Sequence, residues 1–195
     1  MDKEEIVKTL KEISVLLELK DENPFKIRAY QNSARALETS DVKVEKGMKT
    51  EDLTGIKGIG PNIAEKIKTL IDRGSLDYYE ELKKSVPPGL VEMLAVPTMG
   101  PKKIKYLFDN LGISNIGELE YACIENRLVD LPNFGIKTQE NILKGIKVLK
   151  KFKGKFLFAA IIEEAKKLHK KIEGHKHVRR ASLGGSGRRK REIVK

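Results

Sequence analysis

The sequence predicts a mainly α-helical protein, and two observations lead to that prediction. Apolar residues recur with the 3.6-residue period of a helix through most of the chain. In addition, one pattern occurs three times, in which a glycine is followed by an amphipathic helix, at residues 56–67, 96–107 and 131–142. A repeated helix-turn-helix unit is typical of a helical bundle and not of a sheet protein.

The first two helices are predicted within residues 1–39. A stop-and-start signal separates them at Asn23-Pro24, because proline is preferred at the first position of a helix. The apolar stripe of the first helix consists of Ile6, Leu10, Ile13, Leu16 and Leu17. The stripe of the second consists of Phe25, Ile27, Tyr30, Ala34 and Leu37. The polar residues 39–49 are predicted to hold a short helix or a turn.

The stretch GIKGIGPNIAEKIKTLI, residues 55–71, predicts a glycine-rich turn and then a helix. The helix has one continuous apolar stripe, formed by Ile63, Ile67, Leu70 and Ile71. Thr50 is predicted to cap a short helix before the turn, and Gly74 to end the helix after it. The run Val86-Pro87-Pro88-Gly89 is interpreted as a linker, which places a domain boundary there.

The three repeated segments share a set of positions. The common glycine is Gly60, Gly100 or Gly135, and an apolar residue precedes it, which is Ile59, Met99 or Phe134. A second apolar residue follows seven positions later, at Ile67, Leu107 and Ile142. Such a turn presents the free N–H groups of a helix N-terminus, which favour an anion. The pattern predicts a phosphate-binding site that makes no contact with bases and whose affinity for DNA falls with salt concentration. Three ordinary helix–helix turns are the alternative.

The position two residues before the shared glycine differs between the segments. It is Gly58 in the first, Thr98 in the second and Asn133 in the third. Glycine and asparagine tolerate a left-handed backbone, whereas threonine does so poorly. The middle segment is therefore predicted to be the weakest phosphate binder.

The composition favours a polyanionic partner. The chain has 39 Lys and Arg residues against 28 Asp and Glu, a net charge of +11, so we expect nucleic acid first and an anionic membrane surface second. A generic basic protein is the plainer alternative.

Cys123 excludes a disulfide framework because it has no second cysteine to pair with, and a reducing, cytoplasmic setting fits. No apolar run reaches the roughly 18 residues of a membrane span, and no Cys/His cluster has zinc spacing.

The C-terminal part of the sequence changes character. Residues 154–173 predict another amphipathic helix. The run VRRASLGGSGRR, residues 178–189, is interpreted as a short strand, a Gly/Ser turn and a basic cluster. A disordered basic tail is the alternative for residues 174–195.

These segments resemble the X-family DNA polymerases, the group of DNA polymerase beta. GIKGIGPNIAEKI resembles the first helix-hairpin-helix of that family, and NPFKIRAYQNSARAL the preceding helix of its N-terminal lyase-like domain. PTMGPKKIKYLF and LPNFGIKTQENIL are similar to the tandem hairpins of bacterial and archaeal members. RRASLGGSGRR resembles the beginning of the polymerase palm. The resemblance implies a lyase-like domain at residues 1–85, a tandem-hairpin DNA-binding domain at 88–148 and the incomplete start of the palm at 150–195.

The resemblance also implies roles for individual residues. In lyase-active members a lysine forms a Schiff base with the sugar aldehyde left after base loss, and the matching residue is Lys66. Contacts to DNA phosphates are implied for Lys26, Tyr30, Gly58, Gly60, Asn62, Gly100, Lys102, Gly135 and Lys137. Contacts to a nucleotide triphosphate are implied for Gly185, Ser186 and Arg189. A monovalent cation, Na⁺ or K⁺, is implied on the backbone carbonyls of Thr54, Ile56 and Ile59.

A lysine must be neutral to attack an aldehyde. That requires a pKa lowered by partial burial or by nearby positive charge, for which Lys68 and Lys26 are the candidates beside Lys66. A solvated surface lysine is the alternative. Two departures from the family weigh against activity, since Asn62 and Tyr78 stand where lyase-active relatives carry further lysines.

A larger departure concerns polymerisation. By the spacing of the family, the metal-binding aspartates of the palm follow Lys195, and Gly187 replaces an aromatic residue. The chain as given is therefore expected not to polymerise DNA, although Mg²⁺ is expected for the full polymerase, whose palm and further domains belong to a parent protein.

The predicted function is the binding of gapped or nicked DNA, independent of base sequence, within a polymerase of base-excision repair. Lyase activity through Lys66 is left open. One alternative is a non-enzymatic DNA-binding module with the same hairpins, and another is a module that packs on a protein partner. A monomer, associated with the nucleoid and not with a membrane, is expected.

Overall fold

The computed structural model describes residues 1–45, 47–152, 156–175, 177–182, 184–189 and 193–194. It divides into two compact units, residues 1–143 and 144–195. The elements that begin in the first unit are α1 Lys3–Leu19, α2 Pro24–Thr39, α3 Thr50–Thr54, α4 Pro61–Arg73, α5 Asp77–Ser85, α6 Pro88–Met93, α7 Pro101–Leu111, α8 Ile116–Ile124 and α9 Ile136–Phe152, which continues into the second. The mainly α-helical fold is thus confirmed.

Helices α1 and α2 pack against each other, and the N-terminus of each is capped. Asp2 and Glu5 form a reciprocal capping box at the start of α1. The Asn23 side chain accepts from the Phe25 N–H at 2.9 Å, and Pro24 follows as the first helical residue. The apolar residues between the helices are buried, with one exception. Phe25, predicted within the stripe of α2, is 78% exposed because it lies on the first turn, outside the packed face.

Helix α1 is the central element of the first unit. It contacts α2, α4, α5 and α7, and its face of Ile6, Leu10, Ile13 and Leu17 is fully buried. Burial of each of these four side chains contributes on the order of 2 kcal/mol to the stability of the fold. Since α7 belongs to the second predicted domain, the predicted division near residue 86 falls inside one compact unit, and the domain limits stay a prediction.

Several local predictions need correction. Pro88 and Gly89 do not form a linker but open α6, because proline fits the first turn of a helix, and the preceding Val86 is buried. The short helix α3 is capped one residue earlier than predicted, at Lys49, whose N–H donates to Asp52. The described residues between 40 and 49 contain no helix. Gly74 ends α4 in the left-handed conformation, with φ 71°, as predicted.

The second unit contains β1 Phe156–Leu157, α10 Phe158–Glu173, α11 Gly185–Arg188 and β2 Ile193–Val194. The two short strands pair antiparallel, with Phe156 opposite Val194. The helix predicted at 154–173 is present as α10, although its first residues form β1. The strand predicted in VRRASLGGSGRR is absent from its described residues, and Gly185 begins a helical turn in which the Arg188 N–H donates to the Gly184 carbonyl.

Candidate nucleic-acid interface

The three repeated segments fold into the same helix-turn-helix. The turn is followed by α4, α7 and α9 respectively; α3 and α6 lead directly into the first two turns, whereas α8 ends at Ile124 and residues 125–130 form a turn before the third. In each turn, the apolar residue before the shared glycine donates its N–H to a carbonyl three residues earlier. These bonds are Ile59 to Ile56 at 3.0 Å, Met99 to Val96 at 3.1 Å and Phe134 to Leu131 at 3.1 Å. The periodic pattern in the sequence therefore corresponds to one backbone structure used three times.

The left-handed residue of each turn lies two positions before the shared glycine. Gly58 has φ 106°, Thr98 φ 73° and Asn133 φ 67°. Thr98 adopts this conformation although it is β-branched, at a cost of about 1–2 kcal/mol. The middle turn thus has the same shape as the others, and threonine does not distort it as the sequence suggested. Its predicted weakness as a phosphate binder stays a prediction.

The shared glycines are not left-handed. Gly60 has φ −83° and Gly100 φ −98°, conformations that any residue adopts. A Cβ added at Gly60, Gly100 or Gly135 would meet no protein atom within 4 Å. Each glycine carbonyl accepts a helical N–H, from Ala64, Ile104 and Gln139 respectively. Neither conformation nor packing within the chain requires glycine here, and the bare backbone at each helix N-terminus is open to the outside.

The hairpins share a buried core. The apolar residues that precede the shared glycines and those seven positions after them are all buried, as predicted. A third set, seven positions before the glycines, was missed by the sequence analysis and is fully buried: Leu53, Met93 and Leu128. Their spacing from the glycines is constant, so the same alignment of repeats contained the signal.

The third hairpin has a polar residue in this core. Gln139 takes the position of Ala64 and Ile104, and it is 5% exposed. Its side-chain amide donates to Asn126 Oδ1 at 2.7 Å, and its Oε1 makes no hydrogen bond to the described residues. Its alignment with Ala64 and Ile104 indicates burial, although its polar side chain is typical of an exposed helix face.

Basic side chains flank the second and third turns. Lys102 and Lys137, two residues after the shared glycines, are exposed. Lys103 points back to the turn, where its Nζ donates to the Thr98 carbonyl at 3.4 Å and lies 5.7 Å from the ring centroid of Phe134. Two exposed amines therefore stand beside two helix N-termini.

A cluster of two amines and two phenols lies beside the first hairpin. Lys26 and Tyr30 come from consecutive turns of α2, Lys66 from α4 and Tyr78 from α5. The rings of Tyr30 and Tyr78 are stacked, with centroids 6.4 Å apart and planes at 10°. The Nζ atoms of Lys26 and Lys66 lie 5.6 and 5.5 Å from the centroid of the Tyr78 ring. We call these four residues the amine–phenol cluster.

The structure thus brings together three residues that the sequence analysis had selected, namely Lys26, Tyr30 and Lys66. It also places Tyr78, treated only as a departure from the family, at the centre of the cluster. Asn62, the other departure, is a direct partner, because Lys66 Nζ donates to Asn62 Oδ1.

The electrostatics of the cluster separate the two amines. Partial burial lowers the pKa of Lys66, the neighbouring charge of Lys26 lowers it further, and Glu65 opposes them. For Lys26, burial lowers the pKa, but Tyr78 and Glu22 outweigh it and raise the pKa above its ordinary value. Lys68, proposed as a second source of positive charge, instead pairs with Asp72 at 3.5 Å. Burial also raises the pKa of Tyr30.

The remaining predicted sites lie elsewhere. Thr54 ends α3, and the Ile56 carbonyl already accepts the Ile59 N–H, which leaves it a second lone pair. Such carbonyl oxygens suit a hard monovalent cation, and that site stays a prediction. Gly185 begins α11 and Arg189 is exposed, both in the second unit, while the side chain of Ser186 lies outside the described residues. In the described part of the chain, no three His, Cys, Asp or Glu residues are grouped as a metal site.

The repeated hairpins define a helix-hairpin-helix protein, and comparisons with known proteins agree. Residues 1–76 match the family described as helix-hairpin-helix domain, and residues 90–147 match the SAM-like helix-hairpin-helix tandem. Over all 195 residues the chain is 35% identical to the DNA polymerase/3′-5′ exonuclease PolX of Bacillus subtilis (strain 168) and spans 34% of that protein's length. The chain thus contains helix-hairpin-helix domains, and its similarity to that polymerase over all of its residues fits an N-terminal fragment of an X-family polymerase.

None of the helices in the described residues is both long and apolar enough to cross a membrane.

Proposed function

We propose that this chain binds gapped or nicked DNA through its phosphates, without reading the base sequence. The observation that carries the proposal is the set of shared glycines. Gly60, Gly100 and Gly135 recur at three helix N-termini, although no atom of the described residues lies within 4 Å of a Cβ added there. A glycine that the protein itself does not need is explained by the close approach of another molecule's backbone.

Charge and relationship support DNA as that molecule. The helix N-termini favour anions, the chain carries a net charge of +11, and the exposed Lys102 and Lys137 stand beside two of the three seats. The Bacillus subtilis relative is by name a DNA polymerase and exonuclease. Because the contacts are to backbone phosphates, they position the duplex and carry no base specificity. A place in base-excision repair follows from a gapped substrate.

A pair of substitutions on α7 tests the proposal. Gly100→Ala introduces a methyl group at the proposed phosphate site. DNA affinity falls about fivefold, because a lost contact costs roughly 1 kcal/mol. The melting temperature stays constant, because the backbone conformation and the open space permit the methyl group. Gly112→Ala at the other end of the helix is the matched control, because φ there is 67°. It lowers stability by about 1 kcal/mol and leaves DNA affinity unchanged. Fluorescence anisotropy and thermal melts measure both, and equal affinity of the Gly100→Ala variant and the parent would contradict the proposal.

A second function, 5′-deoxyribose-phosphate lyase activity, is favoured by the lowered pKa of Lys66. The neutral Nζ attacks the C1′ aldehyde of the opened sugar, and loss of water gives a Schiff base. Removal of a C2′ proton then breaks the bond between C3′ and its oxygen, which releases the sugar from the downstream strand. Borohydride trapping on gapped DNA with a 5′-deoxyribose phosphate tests this step.

Two variants complete the trapping experiment. Lys66→Ala removes the adduct if Lys66 is the nucleophile. Lys68→Ala, two residues along α4 and paired with Asp72, retains it. Binding without any adduct in the parent chain would instead support the non-enzymatic DNA-binding module.

A further inference from the structure

Ser33 connects α2 to the turn of the first hairpin. Its side chain is 1% exposed, and its hydroxyl donates a hydrogen bond to the Gly58 carbonyl, 25 residues along the chain, at 3.0 Å. A hydroxyl group within a helix commonly donates to a carbonyl of the preceding turn, as Thr39 on the same helix does to the Arg35 carbonyl. The hydroxyl of Ser33 makes a contact between two separate elements instead.

The bond from Ser33 fixes a single peptide group of the turn. This group consists of the Gly58 carbonyl and the Ile59 N–H. The carbonyl accepts from Ser33, and the N–H donates to the Ile56 carbonyl at 3.0 Å. Because a peptide group is planar, a partner on each side fixes its orientation. The next residue is Gly60, whose backbone begins α4 at the proposed phosphate site.

Packing also holds this turn against α2. A Cβ added at Gly58 would lie 3.2 Å from the Ala36 Cβ, and the φ of Gly58 is 106°. The turn therefore lies directly on the helix surface, in contact with the hydroxyl of Ser33 and with a small side chain three positions later.

The second hairpin holds the equivalent peptide group in a different way. The Thr98 carbonyl corresponds to that of Gly58, and it accepts from Lys103 Nζ at 3.4 Å. That bond is exposed to solvent and its donor is charged, so a phosphate competes with the carbonyl for the lysine. The hydroxyl of Ser33 is neutral and buried, so its bond to the turn persists when a phosphate binds.

We propose that Ser33 is a positioning residue, which holds the Gly58–Ile59 peptide group in the orientation that the first hairpin uses to bind a DNA phosphate. The hydroxyl does not touch DNA and acts through the turn. A turn that is already fixed in its binding conformation loses less conformational entropy on binding, which raises affinity. This inference rests on the proposed DNA-binding function and adds to it a residue of α2, outside the three repeated segments.

The test compares Ser33→Ala with a matched control, Ser14→Ala. Ser14 is 3% exposed, and its hydroxyl donates to the Lys11 carbonyl of its own helix at 2.7 Å. Each variant loses one buried hydrogen bond, so both melt at a lower temperature than the parent chain. Ser33→Ala also binds a gapped duplex about fivefold more weakly, whereas Ser14→Ala retains the affinity of the parent. Fluorescence anisotropy and thermal melts measure these changes.

Combination with glycine substitutions identifies the turn through which Ser33 acts. In the Gly60→Ala background the first phosphate site is already impaired, so Ser33→Ala causes little further loss of affinity. In the Gly100→Ala background the second site is impaired, and Ser33→Ala again weakens binding about fivefold, because the effects of independent sites add. A general effect on stability would give the same loss in both backgrounds.

The outcomes separate this inference from the function on which it rests. Parent-like affinity of Ser33→Ala, or an equal loss in both glycine backgrounds, overturns the role of Ser33 and leaves DNA binding in place. A parent chain that does not bind the gapped duplex overturns the proposed function together with this inference. Full affinity of both Gly60→Ala and Gly100→Ala does the same.

Discussion

The first hairpin and the two that follow have the same turn but different surroundings. All three present a helix N-terminus with a bare glycine. The first is joined by side chains from α2 and α5, which complete the amine–phenol cluster. The position of Lys66, six residues after the shared glycine, is Tyr106 in the second hairpin and Asn141 in the third. We therefore expect phosphate binding to depend on the repeated turn, and amine chemistry to depend on the side chains that pack beside it.

The largest effect is expected from moving the lysine between hairpins. Lys66→Ala abolishes the borohydride adduct. Adding Asn141→Lys to that variant does not restore it, because the third hairpin lacks the neighbours that lower the pKa of Lys66. Gel analysis of the trapped DNA gives the answer, and an adduct in the double variant would show that the turn alone supports the chemistry.

The pH dependence of trapping gives the next largest effect. A lowered pKa means that the neutral amine is reached at a lower pH, so the trapping rate rises with pH and is half-maximal below the ordinary lysine value of about 10.4. Lys26→Ala removes one of the two charges that interact with Lys66. Because that charge lowers the pKa of Lys66, its removal moves the half-maximal pH upward. A downward shift would contradict the assigned role of Lys26.

A comparison of the turns gives a smaller effect, on stability. Gly58→Ala places a methyl group 3.2 Å from the Ala36 Cβ at φ 106°, so it destabilises the protein by about 2 kcal/mol. Thr98→Gly relieves a left-handed threonine and stabilises by about 1 kcal/mol. Urea unfolding of the two variants measures both changes. Stabilisation by Gly58→Ala together with destabilisation by Thr98→Gly would contradict the shared left-handed conformation of the two turns.

The helices and hairpins could be predicted because their signals are local. The signals are the period of the apolar residues, a proline at the first position of a helix, and Gly74 at the end of α4. Each of them lies within a few residues of the element that it predicts. The prediction of a linker at Pro88 was wrong, because Pro-Gly is also compatible with the first turn of a helix. Only the packing of α6 decides between a linker and a helix. The central place of Tyr78 could not be predicted, because it depends on how α5 packs beside α2, and spacing along the chain contains no such information. The burial of Gln139 was missed for another reason, because glutamine is mostly exposed in proteins, although the repeat places it with Ala64 and Ile104.

The most direct test of phosphate seating is the salt dependence of DNA binding by the parent chain. The dissociation constant for a gapped duplex is measured from about 50 to about 200 mM salt, for two duplexes of unrelated base sequence. The account predicts a steep linear rise of log Kd with log salt concentration, with the same slope and the same affinity for both sequences. An affinity that barely changes with salt, or that differs between the sequences, would contradict it.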